Sequence, residues 1–431
     1  MFGLGYGSSR KRSPEQARSR SKRSKSRRKA AVSVSACTDS AEEASRYSTS
    51  YSSEEDQPKK TGCGPRLDKD EVQHFRWTAG LKMNARYTVL DLLGDGTFGR
   101  VVLAEDLNRR RNVAIKVIRN VDKYTRNAMR EAEILKDIRK AESGRSSGCV
   151  RLHETFFHEA DGERLFCLVC EVLGMSLYDL LKKNRYRGLW VQDIQSVADQ
   201  CLKALRFLHL DLSLTHTDLK LENVLFRSTD LPQSAAFPRE AFWQAAQTRP
   251  SARNCTTEYV RPVSTQIKLI DFGNATYELE HHSSIINTRQ YRAPEVILSL
   301  GWNERSDLWS VGCIVVELYT GELLFRTHES LEHLSMMEQS IERFPQALLE
   351  RAGQRPDGRF VQKDPKAWRL RSPEAESAMK VKQQKALHKL VQKEHMSLAN
   401  FTASLLILDP ERRPSSQMAL EHPFLFEKFP D

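Results

Sequence analysis

The chain has 431 residues, 39% of them hydrophobic and 29% charged, with a formal net charge of +11. It contains enough apolar residues for a sizeable core, and no apolar run reaches the roughly 18 residues that a membrane-spanning helix needs. The N-terminus turns basic at once, which predicts no signal peptide. Eight cysteines without a framework spacing are typical of a reducing compartment.

The positive charge is concentrated in an N-terminal arm. Residues 1–30 hold eleven lysines and arginines against one glutamate, whereas residues 31–60 hold three against six. Residues 1–70 are rich in Ser, Arg and Lys and poor in large apolar side chains, a composition that predicts a disordered, basic, Arg/Ser-rich arm. The basic cluster at 22–29 favours a nuclear address over a plain solvated tail. We therefore expect the protein in the nucleus, alone or shared with the cytoplasm.

A glycine-rich segment follows an alternating run that starts at Tyr87. A lone G-x-G-x-x-G could belong to a dinucleotide site, but there a helix opens after the last glycine, and here a strand-like pattern continues. The pattern therefore predicts a hairpin whose backbone N–H groups approach phosphates. The residues that we assign to nucleotide contacts in this hairpin are Leu93, Gly94, Asp95, Gly96, Thr97, Phe98, Gly99 and Val101.

The next predicted strand, Val113 to Lys116, carries a lysine that needs a carboxylate partner. We assign this lysine, and Ala114 two positions before it, to nucleotide contacts. A helix predicted over roughly 122–139 offers two carboxylates, Glu131 and Glu133. On the residues alone either one can be the partner of Lys116.

The run from Phe166 to Glu171 predicts a buried strand. It contains the only close cysteine pair, Cys167 and Cys170. A metal or redox pair is conceivable at this spacing. However, residues three apart on a strand face opposite sides of the sheet, so we interpret both thiols as packing residues.

A helix predicted from Trp190 to Leu210 leads into the stretch around which the chain is organised, His216 to Asn223. Downstream, a short apolar strand ends in the triplet 271–273, Asp-Phe-Gly. Between the two lie residues 228–264, which contain four prolines and little periodicity. They predict a long insertion at an exposed turn, which costs little stability. The sequence leaves two roles open for this insertion, a substrate-docking element or a passive surface loop.

The residue types in these two stretches are those that phosphoryl transfer needs. The reaction requires an acceptor hydroxyl held in line with the γ-phosphate and metal ions that absorb the phosphate charge. Asp218 can accept the proton and orient the hydroxyl, and Lys220 can reach the transferring phosphate. Asn223 and Asp271 offer oxygen ligands of the kind that Mg²⁺ takes. Together with the glycine hairpin and Lys116, they match the catalytic machinery of protein kinases.

This match predicts an α+β, two-lobed protein kinase fold that uses ATP and Mg²⁺. The N-lobe and hinge, residues 75–173, would form a small antiparallel sheet with one main helix. The larger C-lobe, residues 174–431, would be mainly helical and would carry the insertion 228–264.

The kinase match also assigns roles to individual residues. Glu131 lies fifteen residues past Lys116, the spacing that kinases use, so we choose it over Glu133. Backbone groups of Glu171 and Leu173 would bind adenine.

Four stretches resemble one particular group of protein kinases, the LAMMER (CLK) family. The stretches are His216 to Lys220 with Thr217 where most kinases have Arg, Asp271 to Ser283, Thr288 to Glu295, and Glu332 to Gln339. In the last one, the signature that names the family, Ser335 and Gln339 replace the usual Ala and Arg. Leu221 replaces the usual Pro, and Cys170 stands where members usually carry Phe. The chain, over residues 75–431, is therefore identified as a divergent member.

The resemblance implies an active enzyme that phosphorylates Ser and Thr in Arg/Ser-rich splicing factors and can autophosphorylate on Tyr. It also implies that the activation segment, from Asp271 to Glu295, is ordered by its own contacts. Glu222 is placed to meet an arginine of the substrate. Chromosome-segregation or cell-cycle proteins are an alternative substrate class, and a pseudokinase scaffold is a second alternative, although no catalytic residue is missing. We expect a monomer that binds protein substrates, no specific nucleic acid and no membrane.

Two buried pairings are expected to support this site. Glu295 should form an ion pair with Arg413. Asp307 should brace the backbone of the catalytic loop, His216 to Asn223, and take no part in the chemistry.

Overall fold

A computed structural model describes residues 74–160, 162–237, 239–242, 258–356 and 358–429. The predicted arm, residues 1–70, lies outside these residues. Among those described, no helix is long and apolar enough to cross a membrane.

The N-terminal part of the fold is an antiparallel six-stranded sheet in the order β1-β2-β3-β4-β6-β5. Its strands are β1 (Lys82–Met83), β2 (Tyr87–Gly96), β3 (Gly99–Asp106), β4 (Arg111–Ile118), β5 (Leu152–Ala160) and β6 (Glu163–Cys170). Alternating residues of β3 and β4, such as Val102, Val113 and Val117, are buried on one face in a core of their own. The predicted antiparallel sheet is therefore confirmed.

One helix, α1 (Asp122–Ala141), packs on the other face of this sheet. Its buried stripe contains Ala128, Ile134, Leu135 and Ile138, at the helical spacing that the sequence predicted. The same stripe contains Glu131, so the apolar pattern that docks the helix also aims this carboxylate at the sheet.

The two cysteines of β6 pack into different cores. Cys167 belongs to the core on the outer face of the sheet, whereas Cys170 packs against the core shared with α1. Both are free thiols, which confirms their interpretation as packing residues. Burial raises the pKa of each thiol to about 12, so both are neutral and unreactive at physiological pH.

The remainder is mainly helical and begins after a connection at residues 171–176, which contains the predicted lobe boundary. The helices are α2 (Leu177–Lys183), α3 (Val191–Arg206), α4 (Pro294–Ile297), α5 (Arg305–Thr320), α6 (Ser330–Ser340), α7 (Gln346–Gly353), α8 (Ala375–Gln383), α9 (Met396–Leu405) and α10 (Ser416–Ala419). Short strand pairs lie among them. These are β7 (Leu214–Thr215) with β12 (Thr276–Tyr277), β8 (Val224–Phe226) with β11 (Ile267–Leu269), β9 (Gln233–Ala235) with β10 (Tyr259–Arg261), and β13 (Val361–Lys363) with β14 (Trp368–Leu370).

Two helices form the centre of this lobe. The apolar positions that predicted α3 are buried, and the helix continues into a π-helical turn at Phe207–Asp211 before the catalytic loop. Helix α5 is buried on all sides from Ser306 to Tyr319, as expected of a helix in the core of a large lobe.

The flanks of the insertion 228–264 are fastened to the C-lobe. Strands β9 and β10 form an antiparallel pair, and Asn184 forms two hydrogen bonds with the backbone of Val260, both 2.8 Å. Arg261 donates to both carboxylate oxygens of Asp193 in α3, at 2.7 and 2.8 Å. These contacts anchor both ends of the insertion, a feature that its weak periodicity did not predict.

Candidate active site

The lysine of β4 is held by the helix that packs beside it. Lys116 Nζ lies 2.8 Å from Glu131 Oε2 and 3.5 Å from Asp271 Oδ1. Burial alone would lower the pKa of Lys116, but the two carboxylates outweigh it and raise the pKa above its usual value. The amine is therefore charged. The alternative partner, Glu133, instead pairs with Lys136 on the exposed side of the helix.

The catalytic loop is fixed from below by α5. The Asp307 carboxylate accepts hydrogen bonds from the backbone N–H groups of His216 (2.8 Å) and Thr217 (3.0 Å), and its third partner is the imidazole of His209 (3.0 Å). The predicted brace is thus present. The ring of His216 also packs against Phe272 with centroids 4.9 Å apart, which joins the loop to the Asp-Phe-Gly segment.

Asp218 lies at the centre of a small polar cluster. Its Oδ2 accepts from Lys220 Nζ at 2.8 Å, and its Oδ1 accepts from the backbone N–H and the hydroxyl of Thr288, at 3.0 and 2.7 Å. Lys220 also donates to the Thr288 hydroxyl at 3.1 Å. The carboxylate is therefore held in one orientation, with a cation beside it.

Asn223 and Asp271 are brought together by the β8–β11 pair. The side-chain nitrogen of Asn223 donates to the backbone carbonyl of Asp218 (2.9 Å), and the backbone carbonyl of Asn223 accepts from the Ile270 N–H (3.0 Å). The side-chain oxygen of Asn223 is thus what it offers to a ligand. Asp271, one residue further, has a positive φ of 64°, and the charge of Lys116 lowers the pKa of its carboxyl.

This donor set fits Mg²⁺. In the described part of the chain, no three His, Cys, Asp or Glu side chains cluster as a metal site. Mg²⁺ does not require such a cage, because it typically takes one or two protein oxygens together with phosphate and water. An ionised Asp271 and the amide oxygen of Asn223 are two oxygens of this kind, and they would be the protein ligands of such an ion.

The glycine-rich segment forms the predicted hairpin. Gly96 and Gly99 are paired at the turn between β2 and β3. A side chain on Gly99 would bring its Cβ within 2.1 Å of the Val117 carbonyl oxygen, so only glycine fits there. At the tip, the ring of Phe98 contacts Tyr124 of α1 edge-on, with centroids 5.1 Å apart. The other residues that we assigned to this hairpin all lie in β2, β3 or the turn between them.

The hinge holds a partly buried ion pair that the sequence analysis missed. Lys268 of β11 donates to the Glu171 carboxylate at 2.6 Å and to the Cys149 carbonyl at 3.0 Å. The N–H of Glu171 donates to the Arg151 carbonyl at 3.1 Å, so its carbonyl is the backbone group with which Glu171 could bind a ligand. The sequence feature that could have revealed this pair is Lys268 itself, a lysine within the apolar strand that leads into the Asp-Phe-Gly triplet. Leu173 lies just beyond, against the core, and Ala114 pairs with Cys170 across β4 and β6.

The activation segment is tied to α1 and to the catalytic loop by groups already in the chain. Arg130 forms an ion pair with Glu280 and donates to the Ala275 carbonyl at 3.3 Å. The hydroxyl of Tyr277 donates to Asp137 at 3.1 Å. Asn287 donates to the Thr217 carbonyl from both its backbone (2.9 Å) and its side chain (3.0 Å).

A charged lysine, a fixed aspartate beside a second lysine, and two side-chain oxygens that fit a metal ion are therefore brought together where the sheet lobe meets the helical lobe. That fold and that site together define a protein kinase.

Comparison with known proteins agrees. A family model described as protein kinase domain matches residues 87–425. Serine/threonine-protein kinase AFC2 of Arabidopsis thaliana is 38% identical over 370 residues, covering 85% of this chain and 82% of the relative. Dual specificity protein kinase CLK1 of Mus musculus is 36% identical over 362 residues, covering 84% and 70%. A crystal structure of a kinase domain, 41% identical, superposes with a TM-score of 0.73 over 83% of this chain and all of that one.

The chain belongs to the protein kinase family, as a divergent member of its LAMMER (CLK) group, and it is a protein serine/threonine kinase.

Proposed function

We propose that this kinase transfers the γ-phosphate of ATP to Ser and Thr in Arg/Ser-rich nuclear proteins, with Mg²⁺ as the metal. The observation that carries the chemistry is the Asp218 cluster, in which Lys220 and Thr288 hold the carboxylate. A substrate hydroxyl bound there would give its proton to Asp218 as its oxygen bonds to the γ-phosphorus and ADP leaves. Mg²⁺, when bound, would neutralise charge on the phosphates.

The chain's own residues would divide the remaining tasks. Lys116 would hold the α- and β-phosphates, kept in place by Glu131, and Lys220 would meet the transferring phosphate. Asn223 and Asp271 would hold the metal. The carbonyl of Glu171 and the backbone of Leu173 would receive adenine, with the glycine hairpin above the phosphates.

An exposed carboxylate beside this cluster supports the proposed substrate class. Glu222 lies in a short 3₁₀ turn, Leu221–Asn223. It is exposed and follows Lys220 by two residues. An Arg guanidinium upstream of a target serine can form charge-assisted hydrogen bonds with such a carboxylate. Substrates in chromosome segregation or the cell cycle remain the alternative.

Replacing Glu222 with alanine is expected to raise KM about tenfold for Arg-containing peptides, because a charge-assisted hydrogen bond is lost. Peptides with Ala in place of that Arg should show no change. Steady-state kinetics on the two peptide sets measure this, with Glu350→Ala, an exposed carboxylate of α7, as the matched control. An equal rise for both peptide sets would contradict the role.

Activity is expected without phosphorylation of the activation segment. Arg130, Tyr277 and Asn287 already fasten this segment through Glu280, Asp137 and Thr217. Phosphatase-treated enzyme, checked by intact-mass spectrometry, should therefore keep its kcat within about twofold, since a phosphate would order nothing further. Abolished turnover after this treatment would refute the prediction.

We further propose that the protein is located in the nucleus, alone or shared with the cytoplasm. We also propose that it acts as a monomer. The basic cluster at 22–29 supports the nuclear address. A fluorescent fusion in which these basic residues are changed to alanine tests it, since nuclear signal should fall relative to the unchanged chain.

A further inference from the structure

The segment of residues 74–77, which we call the strap, lies shortly before β1 and packs onto the N-lobe. Phe75 is only 6% exposed, and its ring meets His158 of β5 edge-on with centroids 5.8 Å apart. Trp77 packs against the same outer core of the sheet. These aromatic contacts give the strap a fixed place on the sheet.

One arginine joins the strap to the glycine hairpin. Arg100 Nη1 donates to the Phe75 carbonyl at 2.9 Å, and its Nε and Nη2 donate to Asp95 Oδ2 at 3.0 and 2.8 Å. Asp95 and Arg100 face each other across β2 and β3. His74 adds a second contact from the strap, with Nδ1 3.3 Å from Asp95 Oδ1.

The chemistry of this junction suits a tether. A guanidinium has donors on both edges of a rigid plane, so Arg100 can hold a carboxylate and a carbonyl at the same time. Its partner Asp95 belongs to the segment that we assigned to the phosphates. The strap therefore holds the hairpin at the residue pair next to its turn, while Phe98 on Tyr124 holds it at its tip.

We propose that the strap and Arg100 position the glycine hairpin for ATP, which makes Arg100 a positioning residue for nucleotide binding. This inference rests on the proposed binding of ATP beneath the hairpin. A hairpin made permissive by three glycines samples many conformations, and only a fraction of them fit the phosphates. Because apparent affinity scales with that fraction, loss of the tether weakens ATP binding and leaves the chemical step intact.

The test uses the full chain and compares Arg100→Met, Phe75→Ala and the double variant with the unchanged protein. Each single variant should raise KM for ATP about fivefold. This rise corresponds to a fall to about one fifth in the fraction of molecules whose hairpin has the conformation that binds ATP. kcat should stay within about twofold, and KM for the peptide should not change. The double variant should be no worse than either single one, because both cut the same tether. Arg164→Met, an exposed arginine of β6, is the matched control and should change nothing.

Each result decides the matter. If the unchanged protein transfers no phosphate from ATP, the proposed function fails. If it does and neither variant raises KM for ATP, the tether is refuted. If KM for ATP rises for Arg100→Met but not for Phe75→Ala, the strap has no part in positioning, and Arg100 acts only through its ion pair with Asp95 inside the hairpin. If the two single effects add up in the double variant, Arg100 and Phe75 act independently and do not form one tether. If the melting temperature shows that Phe75→Ala does not fold, Phe75→Leu takes its place under the same criteria.

Discussion

Replacing Asp218 with asparagine is expected to lower kcat for phosphoryl transfer by about 10³-fold, within the usual range for removal of a catalytic base. Asparagine has nearly the same size, so packing is retained. It cannot take the hydroxyl proton, and its amide N–H₂ faces the ammonium of Lys220 or the two donor groups of Thr288. Because ATP is proposed to be held by other residues, KM for ATP should change little.

A matched substitution separates this effect from a general loss of carboxylate charge. Asp364 pairs with Arg369 on the surface of the C-lobe, so Asp364→Asn should retain full activity. Turnover by Asp218→Asn within about tenfold of the unchanged enzyme would remove Asp218 from the chemistry. Equal melting temperatures for the two variants would show that both are folded.

Breaking the buried ion pair between Glu295 and Arg413 is expected to lower the free energy of unfolding by about 3–5 kcal/mol. Both side chains are fully buried, and Arg413 donates to the two carboxylate oxygens at 2.7 and 2.9 Å. Arg413 also donates to the carbonyls of Arg305 (2.9 Å) and Ile407 (3.0 Å). Glu295→Gln therefore leaves a charged guanidinium inside the lobe without a counter-ion.

Chemical denaturation of Glu295→Gln and Arg413→Met measures this loss. The control is Arg369→Met, which removes an exposed pair and should cost less than about 1 kcal/mol. If Glu295→Gln were as stable as the control, the buried pair would not anchor α4 to the rest of the C-lobe.

The candidate site residues could be picked out because each belongs to a short pattern with a fixed spacing. Glu131 followed from the fifteen-residue spacing to Lys116 that kinases use, whereas the residues alone left Glu133 open. Asp218 and Asn223 lie five residues apart in one loop. Such local patterns restrict the backbone strongly enough to place these side chains without knowledge of distant contacts.

Other contacts that orient this set could not be predicted, because they join residues far apart in sequence and, unlike the Asp307 brace and the Glu295–Arg413 pair, belong to no motif of the kinase match. Glu171 meets Lys268 across 97 positions, and Arg130 meets Glu280 across 150. A surface arginine or glutamate carries no local signal of its partner, since most such residues are solvated. The anchored flanks of the insertion were missed for the same reason.

The most direct test of an active phosphoryl-transfer centre is the transfer of radiolabelled γ-phosphate from ATP to an Arg/Ser peptide by the purified full-length chain with Mg²⁺. We predict phosphate on serine, rising linearly with enzyme and abolished when EDTA removes the metal. A folded enzyme that labels neither this peptide nor a generic basic protein would contradict the account and favour a scaffold.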